Sequence, residues 1–192
     1  HVMSGPAAAC PSFLASPTGG KGTSLIFPQG AGYSRIKRNE PVFVDMVGIY
    51  NGYIADATRI FSLGRIEPEL EEAHQAACQI EEDLAREMSA GKTGRELYQL
   101  SEAAGADLGY QDYLGGPPGG KCGFVGHGVG LELDEYPVIG PLDHELQSNM
   151  TIAIEPKIIY PDKGVLGIED TFLTSSGAAE SLTHMPREIW QV

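Results

Sequence analysis

Apolar and polar residues alternate from Val42 to Phe61, VFVDMVGIYNGYIADATRIF, on both sides of Asn51-Gly52. Alternation of this length predicts two half-buried strands. An Asn-Gly pair between them is the strongest short-range signal for a two-residue type I′ turn. Pairing Tyr50 with Tyr53 sets the register: Ile49 faces Ile54, Val47 faces Asp56, and Asp45 faces Thr58. Asp45, Asp56 and Thr58 then share one face. The two aspartates are diagonal neighbours, about 7–8 Å apart and within reach of a common ion. Two inward carboxylates are costly unless paired or metal-bound. The competing reading makes one of them a turn or surface aspartate.

The pattern becomes helical beyond Gly64. Pro68, flanked by Glu67 and Glu69, opens a helix predicted over 68–89, with Leu70, Ala73, Ala77, Ile80, Leu84 and Met88 on one face. His74, beside that stripe, reads as a helix-surface histidine. Thr93 and Glu96 form a capping-box signature that starts a second helix, with Leu97, Leu100, Ala104 and Leu108 inward. Met150 to Tyr160 is a predicted strand interrupted at Pro156, and Val165 to Thr174 is its return. Short strands are expected near His1 to Met3 and from Ala178 to Thr183. Each half of the chain therefore carries a hairpin with acidic residues.

Residues 13–41 and 109–123 show no period and are read as loops, the first long enough to be functional. The cluster Gly19-Gly20-Lys21-Gly22 lacks the spacing of a phosphate loop. In Phe124 to Glu135, FVGHGVGLELDE, glycines flank His127, which points to close backbone approach or an unusual turn.

Composition narrows the function classes. The chain of 192 residues suits one domain with a real core. A net charge of −13 argues against nucleic acid or an anionic membrane surface as partner. No apolar run is long enough to predict a transmembrane helix. Cys10, Cys78 and Cys122 are widely spaced with no CxxC, as expected of free thiols in a reducing cytoplasm. The start, HVMSGPAAAC, has neither the pattern of a signal peptide nor an initiator Met. A fragment or processed product is the expectation.

Glu155 and Glu169 each interrupt an apolar strand. A four-residue turn at 161–164 sets Glu155 against Asp170 and sends Glu169 to the other face. An odd loop or a bulge sets Glu155 against Glu169. Joined by Asp45, Asp56 and His127, they form a set of four carboxylates and one imidazole. Four carboxylates sharing a pocket repel, and two divalent cations cancel their charge. The donors suit Mn²⁺, Fe²⁺, Co²⁺ or Zn²⁺. Two such ions roughly 3.5–4 Å apart hold a bridging hydroxide and polarise a carbonyl.

The order and spacing of VDMVGIYNGYIADATRIF, GHGVGLELDEYP, MTIAIEP and GIEDTFLT resemble the pita-bread metallopeptidases, which include Xaa-Pro aminopeptidase, prolidase, methionine aminopeptidase and creatinase. The likeness runs from the first residues to about Thr183. It implies an α+β fold of two pseudo-symmetric halves, a curved and mostly antiparallel sheet backed by helices. Residues 1–192 would be a single domain of this type, without the family's N-terminal helices. It also implies that Asp45, Asp56, His127, Glu155 and Glu169 bind two divalent ions, Glu169 bridging, with Thr58 behind them. Glu155 would move the proton between nucleophile and leaving amine.

The family's pattern is not kept everywhere. Its peptidases usually carry histidines where this chain has Ser12 and Asp134, and proline-specific members often have a histidine at the position of Gly123 and an arginine at that of Gly167. Ser12 and Asp134 are thus the candidate replacements beside the substrate. Phe13, Phe27 and Tyr33 of the long loop are candidate pocket walls. The resemblance implies a metal-dependent aminopeptidase or dipeptidase acting on a peptide or dipeptide, at X-Pro among other bonds, with a homodimer among the expectations. The alternatives are a binding module that keeps fold and metals, and a hydrolase of another small amide.

Overall fold

The hairpin forms with the predicted register. In a computed structural model that describes residues 1–192, strand β2 (Pro41–Tyr50) pairs antiparallel with β3 (Tyr53–Ser62). Tyr50 lies opposite Tyr53, Val47 opposite Asp56 and Asp45 opposite Thr58. Asn51 and Gly52 both take positive φ, as a type I′ turn requires. β1 (Val2–Ser4) adds to the free edge of β2.

Two helices back the sheets. α1 (Pro68–Glu87) starts at the expected proline, and α2 (Gly94–Asp107) starts at a complete capping box. The Thr93 hydroxyl accepts from Glu96 N at 3.2 Å, and the Glu96 carboxylate accepts from Thr93 N at 2.8 Å. The apolar stripe of α1 serves two cores. Leu70, Ala73 and Ala77 pack with Phe43, Ile60, Ile158 and Leu166. Ile80, Leu84 and Met88 pack with Leu97, Ile139, Ile152 and Ile154. No helix is long and apolar enough to cross a membrane.

The second half is a sheet in the order β10-β9-β6-β4-β5, built from β4 (Gly126–Gly128), β5 (Glu135–Ile139), β6 (Thr151–Ile154), β9 (Asp170–Leu173) and β10 (Glu180–Ser181). β7 (Lys157–Tyr160) and β8 (Gly164–Gly167) form a separate pair. Tyr160 pairs with Gly164, so the connecting loop has three residues and the odd-loop alternative holds. Ile154 opposite Asp170 and Lys157 opposite Gly167 belong to one continuous register, which sets Glu155 against Glu169. The two halves meet where Thr58 and Glu169 exchange backbone hydrogen bonds of 3.1 and 3.3 Å.

The C-terminal segment was not legible as structure, yet it is riveted to the fold. β11 (Trp190–Gln191) adds parallel to β3. Arg59, fully buried, donates from Nε to Pro186 O at 2.9 Å and from Nη2 to Met185 O at 3.0 Å. His74 is buried rather than on the surface, because its Nε2 meets Arg187 O at 2.6 Å. Arg187 also reaches the buried carboxylate of Glu81.

That pair gives a first testable outcome. Burial, and then the charge of Asp170, push the Glu81 carboxyl up to about 8 despite Arg187. The folded chain then holds a proton that the unfolded chain loses near 4.5. The resulting cost is complete above about pH 8 and fades as pH falls toward 4.5. Glu81→Gln is expected to stabilise the protein at pH 9 by about 1–3 kcal/mol, and much less at pH 5. Thermal melts at the two pH values check this; equal shifts at both would refute it.

Candidate metal centre

His127 sits on β4, the strand between β5 and β6. The flanking glycines do reflect close approach: a Cβ on Gly128 would lie 2.5 Å from Tyr136 O. The ring is oriented by its own strand, with Nδ1 3.0 Å from Gly128 O. Nε2 is thereby turned toward carboxylates. It lies 3.4 Å from Glu155 Oε1, 3.5 Å from Asp134 Oδ1 and 4.0 Å from Glu169 Oε1.

Asp56 arrives from β3 and is fixed by its backbone. Its N–H donates to Thr171 Oγ1 at 3.0 Å, and that hydroxyl donates back to Asp56 O at 2.8 Å. Asp56, His127 and Glu169 each offer one ligand atom, all within 4.8 Å of one another, and all three are buried. Asp56 Oδ1 is buried with no hydrogen-bond partner. A buried acceptor without a donor is costly, and a divalent cation is the group that would complete it. This donor set of carboxylates and one imidazole suits Mn²⁺, Fe²⁺, Co²⁺ or Zn²⁺.

Three further oxygens of the site are already held. Thr58 Oγ1 donates to Glu169 Oε2 at 2.7 Å. Thr18 Oγ1 donates to Asp45 Oδ2 at 2.9 Å. Lys157, whose side chain is 0% exposed, donates from Nζ to Glu155 Oε2, lies 3.4 Å from Glu169 Oε2 and reaches Thr18 Oγ1 at 2.8 Å. Neither Lys157 nor Thr18 was singled out by sequence. Thr18 lies in a loop without period, and Lys157 reads as one polar residue in an apolar strand.

Charges at the site follow from this packing. Burial raises the Asp56 carboxyl to about 6, with help from the Asp45 charge and against Lys157. Burial also raises Glu169 well above the carboxylate range, again against Lys157. Glu155 goes the other way: burial would raise it, but Lys157 and His127 outweigh burial and hold it low. Burial would lower His127, but the hydrogen bond and charge of Glu155 carry it up to about 10. Metal binding at this site would therefore expel a proton from His127.

These residues open onto a cleft of about 770 Å³ lined by Asp45, Asp56, His127, Asp134, Glu155 and Glu169 with apolar walls. Asp134 stands at the rim, its side chain 66% exposed. Ser12 stands apart from the cleft lining: its hydroxyl accepts from Leu14 N at 3.0 Å and closes a turn. Thr18 brings a loop hydroxyl into the site instead. Phe27 lines the cleft and Phe13 packs edge-on against it, with ring centroids 5.4 Å apart. Tyr33 is 87% exposed and is not a wall residue.

The chain is similar to known proteins in sequence and fold. The profile of metallopeptidase family M24 matches residues 1–176. A Xaa-Pro dipeptidase of Pyrococcus furiosus is 32% identical over 170 residues, which is 88% of this chain and 47% of that protein. An X-Pro aminopeptidase structure from Thermotoga maritima superposes with a TM-score of 0.82 at 27% identity, covering 100% of this chain and 48% of the other. A Xaa-Pro dipeptidase structure from Bacillus anthracis gives 0.81 at 27% identity, with coverage of 100% and 48%. The chain thus spans about half the length of these relatives. It has the pita-bread fold, and it belongs to metallopeptidase family M24.

Proposed function

We propose that the chain is the metal-bearing part of an exopeptidase that hydrolyses short peptides next to their N-terminus, with X-Pro dipeptides as the substrate class. The observation that carries this reading is the convergence of Asp56, His127 and Glu169 beneath an open cleft, with Asp56 Oδ1 unpaired. A divalent ion held there would act as a Lewis acid on the scissile carbonyl and acidify the attacking water. The sequence led us to expect two ions; these three donors suit one.

The chain's own residues supply the rest. Asp134 and Asp45 place negative charge at the cleft, where the free ammonium of a peptide N-terminus would dock. Leu14, Phe27 and Tyr136 would cover the apolar side chains and limit water. Glu155 Oε1 faces His127 and the cleft, and the carboxylate starts ionised. It would accept the proton of the attacking water and deliver it to the leaving nitrogen. Cys10, Cys78 and Cys122 are free thiols, which suits the cytoplasmic setting proposed with this reading.

The test uses protein loaded with Mn²⁺ or Co²⁺ and a panel of X-Pro dipeptides, N-acetylated X-Pro dipeptides and longer peptides. Turnover of the free dipeptides is expected, with loss on N-acetylation. Glu155→Gln should lower kcat roughly 10²-fold while leaving bound Mn²⁺ in place. A metal-loaded protein that turns over nothing on the panel would favour a binding module instead.

A further inference from the structure

Six carboxylate oxygens of the site divide into two sets. Asp56 Oδ1, Glu155 Oε1 and Glu169 Oε1 face the opening beside His127 Nε2 or have no partner. Asp45 Oδ2, Glu155 Oε2 and Glu169 Oε2 are already engaged, by Thr18, by Lys157, and by Thr58 with Lys157. A second divalent ion held by Asp45, Glu155 and Glu169 would compete with Thr18 and Lys157 for this second set. Its oxygens converge on the Lys157–Thr18 pair, in which the ammonium donates to the hydroxyl at 2.8 Å.

The fold makes room for that ammonium. Lys157 lies two residues after Glu155, and Gly167 two residues before Glu169, directly across the strand pair. A Cβ on Gly167 would sit 2.8 Å from the Pro156 carbonyl oxygen and 2.9 Å from Lys157 Cγ, closer than a Cβ normally approaches other atoms. The Pro156 carbonyl and the Lys157 stem together occupy the space that a side chain at 167 would fill. Lys157 Nζ also lies 5.2 Å from the centre of the Phe43 ring, so an aromatic face helps hold the cation. With its side chain 0% exposed, Lys157 is enclosed rather than draped over the site.

We propose that Lys157 is a built-in second cation: its ammonium takes the place of one divalent ion, and the centre holds a single metal at Asp56, His127 and Glu169. This deepens the metal-hydrolase reading above and rests on it. Lys157 is a positioning residue here. It fixes Glu155 and Glu169 so that one oxygen of each faces the cleft.

The experiment counts metal rather than activity. The full chain is stripped with chelator, titrated with Mn²⁺ alone, and read by elemental analysis and electron paramagnetic resonance. One Mn²⁺ per chain with the spectrum of an isolated ion is expected. Lys157→Ala should raise the count to two, with a spectrum of coupled ions, whereas Lys157→Arg should stay at one. Two coupled ions in the unaltered chain overturn the proposal and leave the hydrolase reading standing. Folded Lys157→Ala with one ion overturns it as well. No bound Mn²⁺ in the unaltered chain removes the hydrolase reading and this proposal together. If Lys157→Ala does not fold, anomalous scattering from Mn²⁺-soaked crystals of the unaltered chain decides. One peak beside His127 Nε2 supports the proposal, and a second among Asp45, Glu155 and Glu169 overturns it.

Discussion

Asp56→Asn is expected to melt at a higher temperature than the unaltered protein when both are metal-free, and to lose both Mn²⁺ binding and turnover. The two effects have one origin. The Asp56 carboxylate is buried, one of its oxygens has no partner, and burial and the Asp45 charge raise its proton affinity to about 6. A carboxyl raised above its ordinary 3.8 makes the ionised fold less stable. The cost is complete above about pH 6 and disappears as pH falls toward 3.8. An amide of the same shape carries no charge, so the metal-free variant should gain about 1–3 kcal/mol at pH 7.5 and little at pH 4. The amide is also a poor ligand. Unaltered protein should gain about 2.7 kcal/mol when Mn²⁺ is a hundredfold above its Kd, and the variant should gain almost nothing. Loss of a Lewis acid worth several kcal/mol corresponds to a fall in kcat/KM of at least roughly 10³-fold. Melting curves with and without Mn²⁺ at the two pH values, with turnover beside them, check every part. A variant that still shows a metal-induced shift would remove Asp56 from the site.

The hairpin at 41–62 was legible because its information is local. Alternation, an Asn-Gly turn and a two-residue loop set its register, and with it the positions of Asp45, Asp56 and Thr58. The capping box of α2 was local in the same way. Glu155 and Glu169 were identified as site residues, but their relation depended on loop parity, which the pattern left open. The three-residue loop before Gly164 settled it. Lys157 was missed for a different reason. At i+2 it shares a face with Glu155 if the strand continues, but Pro156 reads as an interruption and breaks that alternation in the sequence. Thr18 and Ser12 show a different limit. Both lie in a stretch without period, and only the folded path tells which hydroxyl enters the site.

Arg59 shows the same limit on a larger scale, and Arg59→Ala is expected to be among the most destabilising changes in the chain. Arg59 belongs to the ATRIF motif, yet four of its five partners lie more than a hundred residues away. The guanidinium is fully buried and makes five hydrogen bonds, to Thr58 O, Glu169 O, Met185 O, Pro186 O and Asp170 Oδ1. The last is an ion pair at 2.6 Å with both side chains out of solvent. Removing one member of a buried pair costs about 3–5 kcal/mol, because the remaining charge is left without compensation. Four carbonyls lose a donor in the same step. At about 2–4 °C per kcal/mol for a chain of this size, the melting temperature should fall roughly 10 °C. Asp170→Asn in the Arg59→Ala background should recover part of the loss, because it removes the stranded charge. The consequences should be uneven. Arg59 ties residues 185–186 to β3 and holds the backbone at Glu169, so the C-terminal segment should become the first site of proteolysis. Mn²⁺ affinity should fall as the Glu169 backbone loses its anchor. Arg59→Lys keeps the charge but cannot span five acceptors, and it should rescue no more than part of either effect. If Arg59→Ala melts within a degree of the unaltered protein and its C-terminal segment resists protease, the C-terminal segment is held by β11 and the Arg187 contacts alone.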